Sequence, residues 1–191
     1  MQTYLAILRG VNVGVNNRIK MEELRRAMET DGFSNVETYI QSGNVLFDSE
    51  QDEQTLTTRL ESLLQSSFGY SGAVVLRTKS ELSLLIRNLP FSSEEISAAE
   101  SANTGAESLY VCLYPALPED FAKRLSKVDL AGDRFEIAGR DVYLLLRQSI
   151  RISKLAIALQ KPSDRGTARN WNTMLALHRL ARFDDQRADV L

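Results

Sequence analysis

Three short segments gather the side chains that could hold an anion. The first, LRGVNVGVNNRIK at residues 8–20, sets Gly10 and Gly14 among Asn12, Asn16 and Asn17 and the cations Arg9, Arg18 and Lys20, with no acid before Glu22. Backbone amides at a turn that opens onto a helix can collect an anion. Asn brings a donor and an acceptor and tolerates left-handed turns, and Arg presents a fork suited to phosphate or carboxylate. The second segment, residues 41–44, is Gln41, Ser42, Gly43 and Asn44 between two strand-like runs. The third, residues 165–173, joins Arg165 and Arg169 to Asn170 and Asn172 at a helix start, beside the only tryptophan, Trp171. Each has a plainer reading. Gly and Asn satisfy turn geometry, Thr167, Asn170 and Asn172 are competent helix caps, and Trp171 packs in a core with Met174 and Leu175.

Other chemistries find less support. Gly10 and Gly14 are separated by three residues, which is neither the dinucleotide nor the P-loop glycine pattern. One histidine, His178, one cysteine, Cys112, and no carboxylates at metal-ligand spacing argue against zinc sites, Cys–His pairs and His-based triads. The expectation is no metal and no cofactor, with His178 structural and Cys112 a buried inert thiol. Catalysis would have to rest on Arg, Lys, Asn or Tyr, groups that suit electrostatic stabilisation of phosphate chemistry. No residue is assigned a catalytic role. Residues 140–169 carry seven Lys and Arg against Asp141 and Asp164, a local positive field in a chain of net charge −2.

Hydrophobic periodicity divides the chain into strands and helices. Residues 3–9 form a strand apolar on both faces, hence central and covered on both sides. Met21, Leu24, Ala27 and Met28 mark an amphipathic helix over residues 20–31, ended by Gly32. VETYIQSGNVLFDS is a hairpin, residues 52–67 a helix with Leu56, Leu60, Leu63 and Leu64 on one face, and residues 73–77 a strand. The order β-α-β-β-α-β is that of the ferredoxin-like plait, in which the hairpin tip and the opening loop share one end of the sheet. A short helix at 80–88 leads to the acidic stretch 91–107, with Glu94, Glu95, Glu100, Glu107 and no Lys or Arg, read as a connection. The second half repeats the plan: SLYVCLYPAL as a strand, PEDFAKRLSKVD as a helix, a hairpin turning at Ala138 and Gly139, and IRISKLAIALQK as a helix. A last helix from Thr167 to Arg182 takes the place of a fourth strand. The fold class expected is α+β: two tandem ferredoxin-like halves, the second degenerate with extra C-terminal helices. The domains divide as 1–78, a connecting 79–105, and 106–191.

At 191 residues, 43% hydrophobic and 25% charged, the chain can build a core without staples. It has no run of 18 apolar residues for a membrane span and no secretory leader pattern, so a cytoplasmic protein is expected. LRGVNVG, a Met-Glu-Glu-Leu helix start, TYIQSGNVLF and RNWNTMLAL, in that order, resemble the bacterial family known as domain of unknown function 1697 over nearly the whole chain. The resemblance implies two tandem plait-like α/β halves and brings no activity. The leading expectation is a protein that binds a small phosphorylated or nucleotide-like anion between the three segments. One alternative is nucleic-acid binding through residues 140–169, although no RNA-recognition motif is present. The other is a structural or regulatory protein, monomer or homodimer, without a ligand.

Overall fold

Tyr4, Ala6 and Leu8 alternate with Leu5 and Ile7 in β1 (Gln2–Leu8), and all five are buried. A strand apolar on both sides belongs in the middle of a sheet, and β1 pairs antiparallel with β3 (Asn44–Ser49) and β4 (Val74–Thr78). The computed structural model describes residues 1–13 and 17–188. It divides into two compact units, Met1–Ile86 with Ala176–Leu191, and Arg87–Leu175.

In the first unit β2 (Ser34–Tyr39) completes a four-stranded antiparallel sheet of order β2-β3-β1-β4. Its inward side chains, among them Tyr4, Phe47 and Leu76, share one core with α1 (Met21–Thr30) and α2 (Glu53–Phe68). The helical spacing explains this: Met21, Leu24 and Met28 in α1, and Leu56, Leu60 and Leu64 in α2, each form one buried stripe. Each such leucine adds about 2 kcal/mol. Asp52 caps α2 by accepting from Thr55 N at 2.9 Å, and Gly69 ends it at φ +64°. α3 (Lys79–Arg87) follows β4 directly.

In the second unit β5 (Leu109–Leu113), β6 (Arg134–Ala138), β7 (Asp141–Leu145) and β8 (Thr167–Asn170) form a second antiparallel sheet, ordered β6-β7-β5-β8. Cys112, Val142 and Leu144 pack with α5 (Phe121–Leu125) and α6 (Lys154–Leu159). The fold is therefore α+β with two four-stranded antiparallel sheets.

Four details depart from the sequence expectations. The fourth strand is present: β8 pairs with β5 from Thr167 opposite Leu113 to Asn170 opposite Tyr110. Its capping residues and arginines look like a helix start, but α7 (Trp171–Ala188) begins only after it. Pairing with a central strand, not local propensity, makes this segment extended. The acidic stretch holds α4 (Ser93–Ala102), whose stripe is so thin that only Ala99 is buried. The helices expected at 118–129 and 150–161 shrink to α5 and α6. The hairpin turns at Gly139 and Arg140, one residue later than expected.

Candidate functional site

Asn12 ties together the two described ends of the opening loop. It sits at φ +57°, and its Nδ2 donates to the carbonyls of Ile19 at 2.9 Å and Gln41 at 2.7 Å. Its Oδ1 accepts from Ile19 N at 2.9 Å, and its own N–H donates to Asn17 O at 2.9 Å. One side chain thus closes the loop on itself and ties it to the β2–β3 turn. Gly43 makes the approach possible: it lies at φ +74°, and a Cβ there would stand 2.3 Å from Val11 Cγ1. Leu8 N donates to Gly43 O at 2.8 Å, and Arg9 N to Ala73 O at 3.0 Å. Tyr70 Oη donates to Arg9 O at 2.6 Å. Loop, turn and the start of β4 are one hydrogen-bonded end of the first sheet.

Of the residues singled out in these two segments, Asn12 and Asn44 are structural here. Asn44 is fully buried, and its Nδ2 donates to Tyr39 O at 3.2 Å and Ser42 Oγ at 2.9 Å. Arg9 is half-buried, and Gly10 is exposed at φ +67° with open space around it. The N–H groups of Gly10 and Val11 have no acceptor among the described residues. Lys20 precedes α1 without a side-chain cap and pairs with Glu23 at 3.0 Å. Gly14 and Asn16 lie outside the described residues. Val13 and Ile40 are exposed at 70% and 50%. Ile40 holds φ +47°, a strained setting for a β-branched residue.

The third segment is differently occupied. Asn170 Oδ1 caps α7 by accepting from Thr173 N at 2.8 Å. The Glu107 carboxylate already stands at this helix start, accepting from Asn172 Nδ2 at 3.2 Å and 3.3 Å and from Asn170 Nδ2 at 3.4 Å. The place where a helix dipole welcomes an anion therefore holds a protein carboxylate. Arg169 Nη1 donates to Thr167 Oγ1 at 3.0 Å and Ala168 O at 2.8 Å. Arg165 ends a 3₁₀ turn, Pro162–Asp164, at φ +58°. Trp171 is half-buried beside the Tyr143 ring, with centroids 6.4 Å apart. In the basic stretch Lys154 is taken up by Asp129 at 2.9 Å.

Two features escaped the sequence. Ser83 Oγ on α3 lies 3.1 Å from His178 Nε2 on α7, a Ser–His contact across 95 residues. Only folding brings the pair together, so spacing gave no signal. Arg77, on β4, is 1% exposed and donates from Nη1 to Leu76 O at 2.6 Å. Among the described residues no three His, Cys, Asp or Glu side chains gather as a metal site requires.

These features define an α+β protein whose first sheet ends in a hydrogen-bonded cluster of loop and turn. Residues 1–143 match a family model described as Protein of unknown function (DUF1697), and the chain belongs to that family. The match ends inside β7, before β8. No curated protein matches the sequence. A solved structure, that of the conserved bacterial protein SP0830 from Streptococcus pneumoniae, is similar at TM-score 0.74 and 22% identity, covering 94% of this chain and 98% of that one. At that identity the likeness concerns the fold alone. No helix among the described residues is long and apolar enough to cross a membrane.

Proposed function

We propose that the protein binds a small phosphorylated, nucleotide-like ligand at the loop–turn end of the first unit. The amides of Gly10 and Val11 and the cations Arg9 and Lys20 take the anion, Gln41 and Ser42 border it, and Val13 and Ile40 contact its apolar part. The observation that carries this reading is the Asn12 clamp: three side-chain hydrogen bonds tie Asn12 to Ile19 and to the Gln41 carbonyl. A site whose supports are tied in place loses less entropy on binding, and the strain kept at Ile40 is of the kind found where shape serves binding. Gly43, Asn12 and Asn44 support the site without touching the ligand. Arg165, Arg169, Asn170 and Asn172 are left out of the ligand shell, because Glu107 supplies the negative charge at their helix start. In this reading the protein works in the cytoplasm, where a lone thiol stays reduced. Each unit is a ferredoxin-like plait and the pair a tandem duplication, since both sheets place their strands in the order second, third, first, fourth.

A thermal-shift panel of nucleotides, sugar phosphates, inorganic phosphate and a short RNA tests the proposal. A ligand at about 100 times its Kd should add about 2.7 kcal/mol, or roughly 5–10 °C for a chain of this length. The shift should disappear in Arg9→Ala and in Lys20→Ala. A flat panel, or a shift that survives both changes, sinks the proposal. One observation favours nucleic acid as a second reading: Arg147, Arg151 and Lys161 are exposed and make no ion pair among the described residues. RNA retardation that weakens steeply with salt would support it, and its absence would remove it.

A further inference from the structure

A pocket of about 140 Å³ opens within the second unit. Its floor is apolar: Leu145 from β7 and Ala99 from α4 are each 3% exposed, with Ala98 at the mouth. The rim is charged. Arg134 pairs with Glu95 and lies over the Phe91 ring, 5.3 Å from its centroid, so its position is fixed from two sides. Glu95 is held in turn by the Ser92 N–H at 2.8 Å. That hydrogen bond, then Arg134, keeps its carboxyl below the ordinary range.

Arg147, the other cation of the rim, differs from Arg134. Its backbone is anchored, because its N–H donates to Asp133 Oδ1 at 2.8 Å. Gln148 Nε2 at 2.9 Å and Ser153 Oγ at 2.7 Å fill Asp133 Oδ2. Its stem lies against Gly132, where a Cβ would stand 3.1 Å from Arg147 Cδ. Its guanidinium makes no ion pair among the described residues. A guanidinium on an anchored backbone beside an apolar hollow is half of a charge-assisted pair, and the geometry points to its partner. We infer that this pocket binds a small organic carboxylate, with its carboxylate on Arg147 and a ring-sized apolar body over Ala98, Ala99 and Leu145. Arg–carboxylate pairs favour two parallel hydrogen bonds. The volume suits the body, since an apolar cavity of about 150 Å³ takes up benzene. Bare phosphate fits poorly because the floor offers it no donors.

The probe is benzoate, titrated into the full chain and followed by amide NMR. Benzyl alcohol serves as the ring without the charge, and inorganic phosphate as the charge without the ring. Saturable shifts should fall on Ala98, Ala99, Gly132 and Leu145, with both controls at least tenfold weaker. Arg147→Gln and Ala98→Leu should each weaken benzoate at least tenfold. Both positions are exposed, so the variants keep the core. The inference is overturned if benzoate does not saturate, if either control binds as well, or if both variants bind benzoate unchanged. None of the shifted amides belongs to the loop–turn end, so failure of the nucleotide-like reading leaves this result standing, and the converse holds.

Discussion

Asn12 is the residue on which the loop–turn end depends. Replacing it with Ala strands the Ile19 N–H and two carbonyls and puts a Cβ residue without a compensating side chain at φ +57°. With about 1 kcal/mol for each hydrogen bond lost, Asn12→Ala should cost roughly 2–4 kcal/mol in urea denaturation. Gly43→Ala should disturb the same end, since its Cβ has no room beside Val11 and Leu8. Tyr143 gives a check of a different kind. Burial first, and the Asp141 charge second, push its hydroxyl up to about 12. The folded value lies above the unfolded one, so the stability it brings is complete below pH 10 and is lost as pH rises through the folded value. Tyr143→Phe should remove one tyrosinate from the most alkaline part of an ultraviolet titration, and an unchanged curve would refute the assignment. The residue types at the loop–turn end were legible in the sequence; their roles were not. Asn12 reads equally as a ligand contact or a loop staple until its three partners are known, and all three are backbone atoms that no side-chain pattern reports.

Elements with a full apolar stripe, such as β1 and α2, can be read directly from their period. Those without one escape. α4 has a single buried residue, Ala99, yet its start carries a complete capping box: Glu95 N donates to Ser92 Oγ at 3.2 Å and Ser92 N to Glu95 Oε2 at 2.8 Å. The Ser-x-x-Glu spacing was the available signal. Ser92→Ala should cost about 1 kcal/mol, read as a lower urea midpoint. Acid should act at the same places. Thr55 hydrogen bonds hold Asp52 below its ordinary value, and the Ser92 backbone and Arg134 do the same for Glu95. Both folded values are depressed, so their stabilisation is complete above pH 4.5 and fades as pH falls through the folded values. Urea midpoints should stay level from about pH 7 to 5 and then fall, more shallowly in Asp52→Asn. β8 was hidden for the opposite reason. Its four residues carry strong helix-start signals, and only the ladder to β5 makes them a strand.

For the whole molecule, the family match ends at residue 143, whereas the second sheet is complete only with β8 at Thr167–Asn170. A chain cut after residue 143 would lose the end of β7, α6 and β8 and leave Cys112 and Val142 without Leu144, Leu155, Ala156 and Leu159. Its second unit should be unfolded, seen as loss of dispersed amide signals from residues 109–143. Retained dispersion there would show that the matched span folds without the rest. The α+β class was visible in the mixture of strand-like and helix-like segments. What closes each sheet was not, because closure depends on pairings between segments far apart in sequence. The most direct test of the proposed site is an amide-resolved NMR titration of the intact chain with a nucleoside monophosphate. Binding at the loop–turn end predicts saturable shifts at Gly10, Val11 and Gln41 that vanish in Arg9→Ala. Silence at those amides, or the same response in Arg9→Ala, would contradict it.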